Sequence, residues 1–134
     1  MRVKCIHADD MEIIYKSLVD SDVLVLVSPL YYFGFTAQLK SAIDRFYAVN
    51  PSLREKCRDL YVISAGADQE DWAMDVIRSH AETLCRYLEW KNCGEVMALG
   101  CSSIRDLKDT DYENKARRLG EKAGRAHNDN KARI

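Results

Sequence analysis

Apolar positions in this chain come in blocks whose spacing changes from one block to the next. In "ADDMEIIYKSLVDSD", Met11, Ile14, Tyr15 and Leu18 fall at three- and four-residue spacing. That spacing predicts an amphipathic helix, with Asp9 or Asp10 as its N-cap. "DVLVLVSP" (Asp22 to Pro29) is a β-branched run without alternation, the pattern of a strand buried on both faces of a parallel sheet. "TAQLKSAIDRFY" returns to helical spacing through Leu39, Ala42, Ile43 and Phe46.

The alternation repeats. "NPSLREKCRD" reads as a polar connector, and "LYVISAG" as a second buried strand ending in a glycine turn. "DQEDWAMDVIRSHAETLCRYLEW" predicts a long helix whose inner stripe is Trp72, Val76, Ile77, His80, Leu84, Tyr87 and Leu88. "GEVMALG" predicts a third strand. "TDYENKARRLGEKAGRAH" predicts a closing helix capped by Thr110 or Asp111, with Ala116, Gly120, Ala123 and Gly124 small enough to pack closely on the sheet. Strands that alternate with helices imply an α/β fold with right-handed crossovers. With no repeats and no low-complexity linker, residues 1–134 read as one domain with a flexible tail at 128–134.

Bulk properties narrow the function classes. Twenty basic and 21 acidic side chains leave a net charge of −1, so no nucleic-acid partner is expected. No apolar run is long enough to span a membrane, and "MRVKCIHADD" lacks the apolar core of a signal peptide. The expected location is the cytoplasm. The cysteines Cys5, Cys57, Cys85, Cys93 and Cys101 form no C-x-x-C pair and have no histidine at ligand spacing. Cys85, Cys93 and Cys101 are read as small buried apolar residues, and no metal site is expected.

Ligands of open α/β sheets bind beyond the carboxyl ends of the strands. Three segments are expected there: 28–36, 64–71 ("SAGADQED") and 100–105 ("GCSSIR"). The first is the most informative. Pro29 stops the strand, Gly34 allows a tight or left-handed turn, and Tyr31, Tyr32, Phe33 and Phe35 cannot all point inward. Exposed rings at that position suit a flat conjugated ligand. They equally suit packing on the next helix or a dimer interface.

The run "DDMEIIYKSLVDSDVLVLVSPLYYFGFTAQLKSAIDR" resembles the NADPH-dependent FMN reductase-like and iron–sulfur flavoprotein group of the flavodoxin-like superfamily. The resemblance is carried by Ser28, Pro29, Tyr31, the aromatic–Gly step and "AQLK..IDR", and weakly by "ENKARRLGEKAG". It implies a flavodoxin-like three-layer fold, a parallel sheet with helices on both faces. It also implies an FMN-dependent NAD(P)H oxidoreductase, with hydride passing through the flavin. The implied flavin contacts are Ser28, Pro29, Leu30, Tyr31, Tyr32, Phe33 and Gly34 on one side and Ala65, Gly66 and Ala67 on the other. No catalytic acid or base is assigned, although Tyr31, Asp68 and His80 are available.

The family's Ser/Gly/Thr-rich phosphate loop has no counterpart in this sequence, where only "MRVKCIHA" precedes the acidic pair. Cys5 matches at most the last member of the cysteine cluster of the iron–sulfur proteins, so no cluster is expected. The chain therefore reads as a truncated flavodoxin-like fold that keeps strands three, four and five. FMN binding is then expected to be weak or absent. The free edge of strand 23–28 is expected to be covered. "RVKCI" (Arg2 to Ile6), a second copy or a separate polypeptide could cover it, and a homo-oligomer through that edge is the expected form. The competing reading is a non-catalytic remnant acting through dimerisation or a partner chain. A receiver-type phosphorylation domain is set aside, because "VSPLYY" and "GCSSIR" lack the Asp and Lys it needs.

Overall fold

The computed structural model describes residues 9–131, with side chains through residue 125. Arg2 to Ile6, one expected cover for the free strand edge, lies outside the described residues. In chain order the elements are α1 (Met11–Asp20), β1 (Val23–Pro29), α2 (Ala37–Asp44), α3 (Asn50–Arg54), β2 (Asp59–Ala65), α4 (Asp75–Leu88), β3 (Lys91–Ala98), α5 (Ile104–Leu107) and α6 (Tyr112–Lys131). Single 3₁₀ turns join α2 to α3 (Arg45–Val49) and lead into α4 (Asp71–Met74).

The three strands form one parallel sheet in the order β1-β2-β3. Each crossover is helical, as parallel pairing requires. Leu26 on β1, Leu60 and Val62 on β2 and Met97 on β3 pack against Leu18, Ile43, Phe46, Leu53, Ile77 and Leu88 from α1 to α4. On the opposite face α6 packs against β3 and β2. Gly94 makes that approach possible. It sits in β3 at φ +149°, beside a register shift at Leu60/Tyr61, and a Cβ there would stand 3.0 Å from Leu119 Cδ1.

Four expectations change. The β1 run is not buried on both faces: Leu26 and Ser28 point into the core, whereas Val25 and Val27 are exposed, Val27 at 63%. The reason is position. Among the described residues β1 is an edge strand, and α6 packs on β2 and β3. β2, the central strand, is the one buried on both faces. The inner stripe of α4 is rotated. Ala73, Met74, Ile77, Ala81, Cys85 and Leu88 are buried, and Trp72, Val76 and Tyr87 are exposed. The segment opens as a tighter 3₁₀ turn, which shifts the phase of everything after it. "NPSLR" is a helical turn, not a polar connector: Pro51 sits in its first turn and Leu53 is fully buried. On α6, Leu119 and Ala123 face the sheet, while Gly120 and Gly124 face outward with nothing near them.

One buried cation organises the amino ends of the strands. Arg58, only 1% exposed, precedes β2. It donates to the carbonyls of Val19, Ser21, Leu53 and Lys56 at 2.7–3.1 Å and lies 5.3 Å from the Trp90 ring centre. Trp90 Nε1 donates to the same Leu53 carbonyl at 2.9 Å. Burial pulls the Arg58 guanidinium below its ordinary value. Carbonyls of α1, α3 and the linkers are thereby satisfied inside the fold.

Candidate functional site

The carboxyl ends of β1 and β2 are joined by their loops. Leu30 N–H donates to Ala65 carbonyl at 2.7 Å, and Gly66 N–H donates to Ala98 carbonyl at 2.9 Å. A Cβ on Gly66 would stand 2.9 Å from the Leu30 side chain, so only glycine lets the two loops meet. Cys101 N–H returns to Gly66 carbonyl at 2.8 Å, which ties in the third loop.

Ser28 builds the first loop from below. Its buried Oγ donates to Pro29 carbonyl at 2.8 Å and accepts from Thr36 N–H at 3.0 Å. Thr36 Oγ1 in turn accepts from Leu39 N–H and caps α2. Between these anchors Tyr31 and Gly34 exchange both backbone hydrogen bonds, at 3.1 and 3.2 Å, around a two-residue turn. Tyr32 (φ 50°) and Phe33 (φ 67°), and not Gly34, occupy the left-handed region, because the two-residue turn is centred on them. Such a turn favours Asn-Gly, so two bulky residues store strain, about 1–3 kcal/mol apiece.

The turn projects its rings outward. Tyr32 is 99% exposed, and Tyr31 and Phe33 are also exposed. Phe33 stacks on Trp72 from the segment after the second loop, centroids 5.4 Å apart at 28°. Tyr32 meets Phe33 edge-on at 5.8 Å. Phe35 turns inward and tilts against His80 on α4 at 5.4 Å.

The proposed contacts thus sort by access. Pro29, Tyr31, Tyr32, Phe33 and Ala67 face solvent; Leu30, Gly34 and Ala65 are partly covered; Ser28 and Gly66 are buried. Trp72 was expected inside the α4 stripe, and the structure places it at the site's rim. Its acidic flanks in "DQEDWAMD" were the one signal that it faces water.

Among the described residues, the amides of Tyr32, Phe33 and Ala67 have no protein acceptor. The Ser64 hydroxyl, buried under the second loop, also lacks a partner. Free amides beside exposed rings fit the polar edge and flat face of a conjugated ring system such as that of a flavin.

The acid–base candidates do not converge. Asp68 accepts from Glu70 N–H at 2.9 Å. His80 sits in a separate groove of about 220 Å³ between α2 and α4, beside Phe46, Leu84 and Tyr87. Burial, then Lys40, hold its imidazole below the ordinary value of 6.5. Burial also pushes the Cys85 thiol up to about 11, so it stays protonated and inert at neutral pH. Among the described residues, no three His, Cys, Asp or Glu side chains gather as a metal site. Nor is any described helix long and apolar enough to cross a membrane.

The chain is 36% identical over 70 residues to an iron–sulfur flavoprotein of Archaeoglobus fulgidus, a match covering 51% of this chain and 32% of that one. It is 42% identical over 45 residues to an iron–sulfur flavoprotein of Methanocaldococcus jannaschii, covering 34% and 23%. The matches thus span a third or less of these curated relatives. A solved structure described as Trp repressor binding protein from Bacillus subtilis superimposes with a TM-score of 0.72 at 23% identity. That match covers 83% of this chain and 72% of the other, and it shows the flavodoxin-like fold. The sequence profile of NADPH-dependent FMN reductases matches residues 2–99, and the chain belongs to that family.

Proposed function

We propose that this chain carries the ring-binding side of an FMN site in a flavin-dependent NAD(P)H oxidoreductase. The observation that carries this reading is the Tyr31–Gly34 turn, which holds three exposed rings and free amides over the carboxyl end of the sheet. Bound FMN would supply the redox chemistry, taking a hydride from NAD(P)H and passing electrons to an acceptor. The protein's part is placement. Tyr31, Tyr32 and Phe33 would cover the ring, with Pro29 and Gly34 shaping the turn. The amides of Tyr32, Phe33 and Ala67 would bond its polar edge, with Ala65 and Gly66 setting the second wall. Ser28 and Leu30 hold the loop from beneath. None of these steps asks for a protein acid or base, which suits the separation of Asp68 from His80.

The test is a titration of the purified chain with FMN, followed by flavin fluorescence. Saturable quenching is expected. A Tyr31→Ala, Tyr32→Ala double variant should unfold cooperatively as before, because both side chains are exposed. Its affinity should fall by about tenfold or more, the scale of lost ring contacts. A wild-type chain that never quenches the flavin overturns the reading.

A second reading rests on a different observation, the exposed Val25 and Val27 beside the outer edge of β1, which pairs with no strand among the described residues. In that reading the chain acts through association, as a homo-oligomer joined through strand 23–28, and the aromatic turn is inherited architecture.

A further inference from the structure

We infer that Trp72 is a wall of the ring site, the side chain that extends the aromatic surface from the first loop onto the second. The inference rests on the flavin reading above. Tyr32, Phe33 and Trp72 form a continuous row of rings, in contact at 5.8 and 5.4 Å. The row crosses from the loop after β1 to the segment after β2, at the carboxyl ends of the strands, the end of an open α/β sheet where ligands bind. Trp72 remains 57% exposed after stacking on Phe33, so a large ring surface is left open.

Its backbone is held while its ring is free. The next two residues, Ala73 and Met74, are fully buried. Arg78 grips the preceding residue, Asp71, with Nη2–Oδ1 at 2.8 Å and Nη1–Oδ2 at 3.0 Å. Arg78 is itself fixed by Glu95 on β3 at 2.8 Å and Asp75 at 3.2 Å. The hydrogen bonds from Arg78 hold the Asp71 carboxyl below its usual range, so this grip persists at neutral pH. A side chain anchored so firmly and yet left in water is preorganised for a partner.

The surroundings name the end of the ligand that belongs there. Asp68 and Glu70 precede Trp72 and keep the segment acidic even with Asp71 paired to Arg78. That field disfavours a phosphate and leaves an uncharged planar ring as the fitting group. Trp72 therefore contacts the tricyclic ring, with the phosphate directed elsewhere.

The test compares wild type, Trp72→Ala and Trp72→Phe in FMN and riboflavin titrations, with the visible circular dichroism of the bound flavin recorded. Trp72→Ala should weaken both flavins by about tenfold, the size of one ring-stacking contact, and change the dichroism. Trp72→Phe should restore affinity to within about threefold, since a ring is again present. Riboflavin should lose as much as FMN, because the contact involves no phosphate. If wild type binds and Trp72→Ala binds equally well, this inference falls and the flavin reading stands. If only FMN is weakened, the ring assignment falls. If wild type binds neither flavin, both fall together.

Discussion

Tyr32 and Phe33 stand where a two-residue turn prefers Asn and Gly, and each has a positive φ. Local rules broken in this way mark a place where something other than stability sets the residue. Tyr32 contributes little packing, since it is fully exposed apart from its edge contact with Phe33. Tyr32→Asn should therefore raise stability by about 1 kcal/mol, read as a higher urea midpoint with an unchanged slope. A lower midpoint would sink the strain account. The same variant should bind flavin less tightly, so stability and ligand affinity move in opposite directions at one position.

At the scale of elements, α6 shows how much of a helix its neighbours decide. Leu119 and Ala123 meet the sheet, and Gly120 and Gly124 look outward into open space. Two exposed glycines inside a helix cost stability without serving any contact. Gly120→Ala and Gly124→Ala should each stabilise by about 0.5–1 kcal/mol in thermal or urea unfolding. A loss would mean that these positions meet something the packing does not show. The glycines look like packing residues in the sequence because spacing alone does not fix the phase of a mostly polar helix. The same limit explains α4, where a 3₁₀ start rotated the stripe and brought Trp72 to the surface. It explains β1 too: five apolar residues in a row read as a central strand, and only the strand order reveals an edge. By contrast, the existence and type of the long elements, the parallel sheet and the aromatic turn at 31–34 were legible, because each has a local cause. The Leu30–Gly66 contact and the Phe33–Trp72 stack were not, since they join residues about 36–39 positions apart.

For the molecule as a whole, one face of the sheet is covered unevenly. α6 covers the outer face of β2 and β3, while Val25 and Val27 on β1 remain exposed beside an edge that pairs with no strand among the described residues and carries no charged residue within Val23–Pro29. Such an edge invites pairing. Light scattering should therefore give a mass above one chain, and Val27→Lys should return it to one chain without lowering the melting temperature. A wild-type chain that stays monomeric at high concentration would remove the association reading. The opposite end of the strands is governed by Arg58, whose acceptors are the carbonyls of Val19, Ser21, Leu53 and Lys56. None of them lies in the aromatic turn or the second loop. Descendants of this chain can exchange rings at positions 31–33 and 72 while inheriting the same foundation, so ligand preference is free to drift faster than architecture.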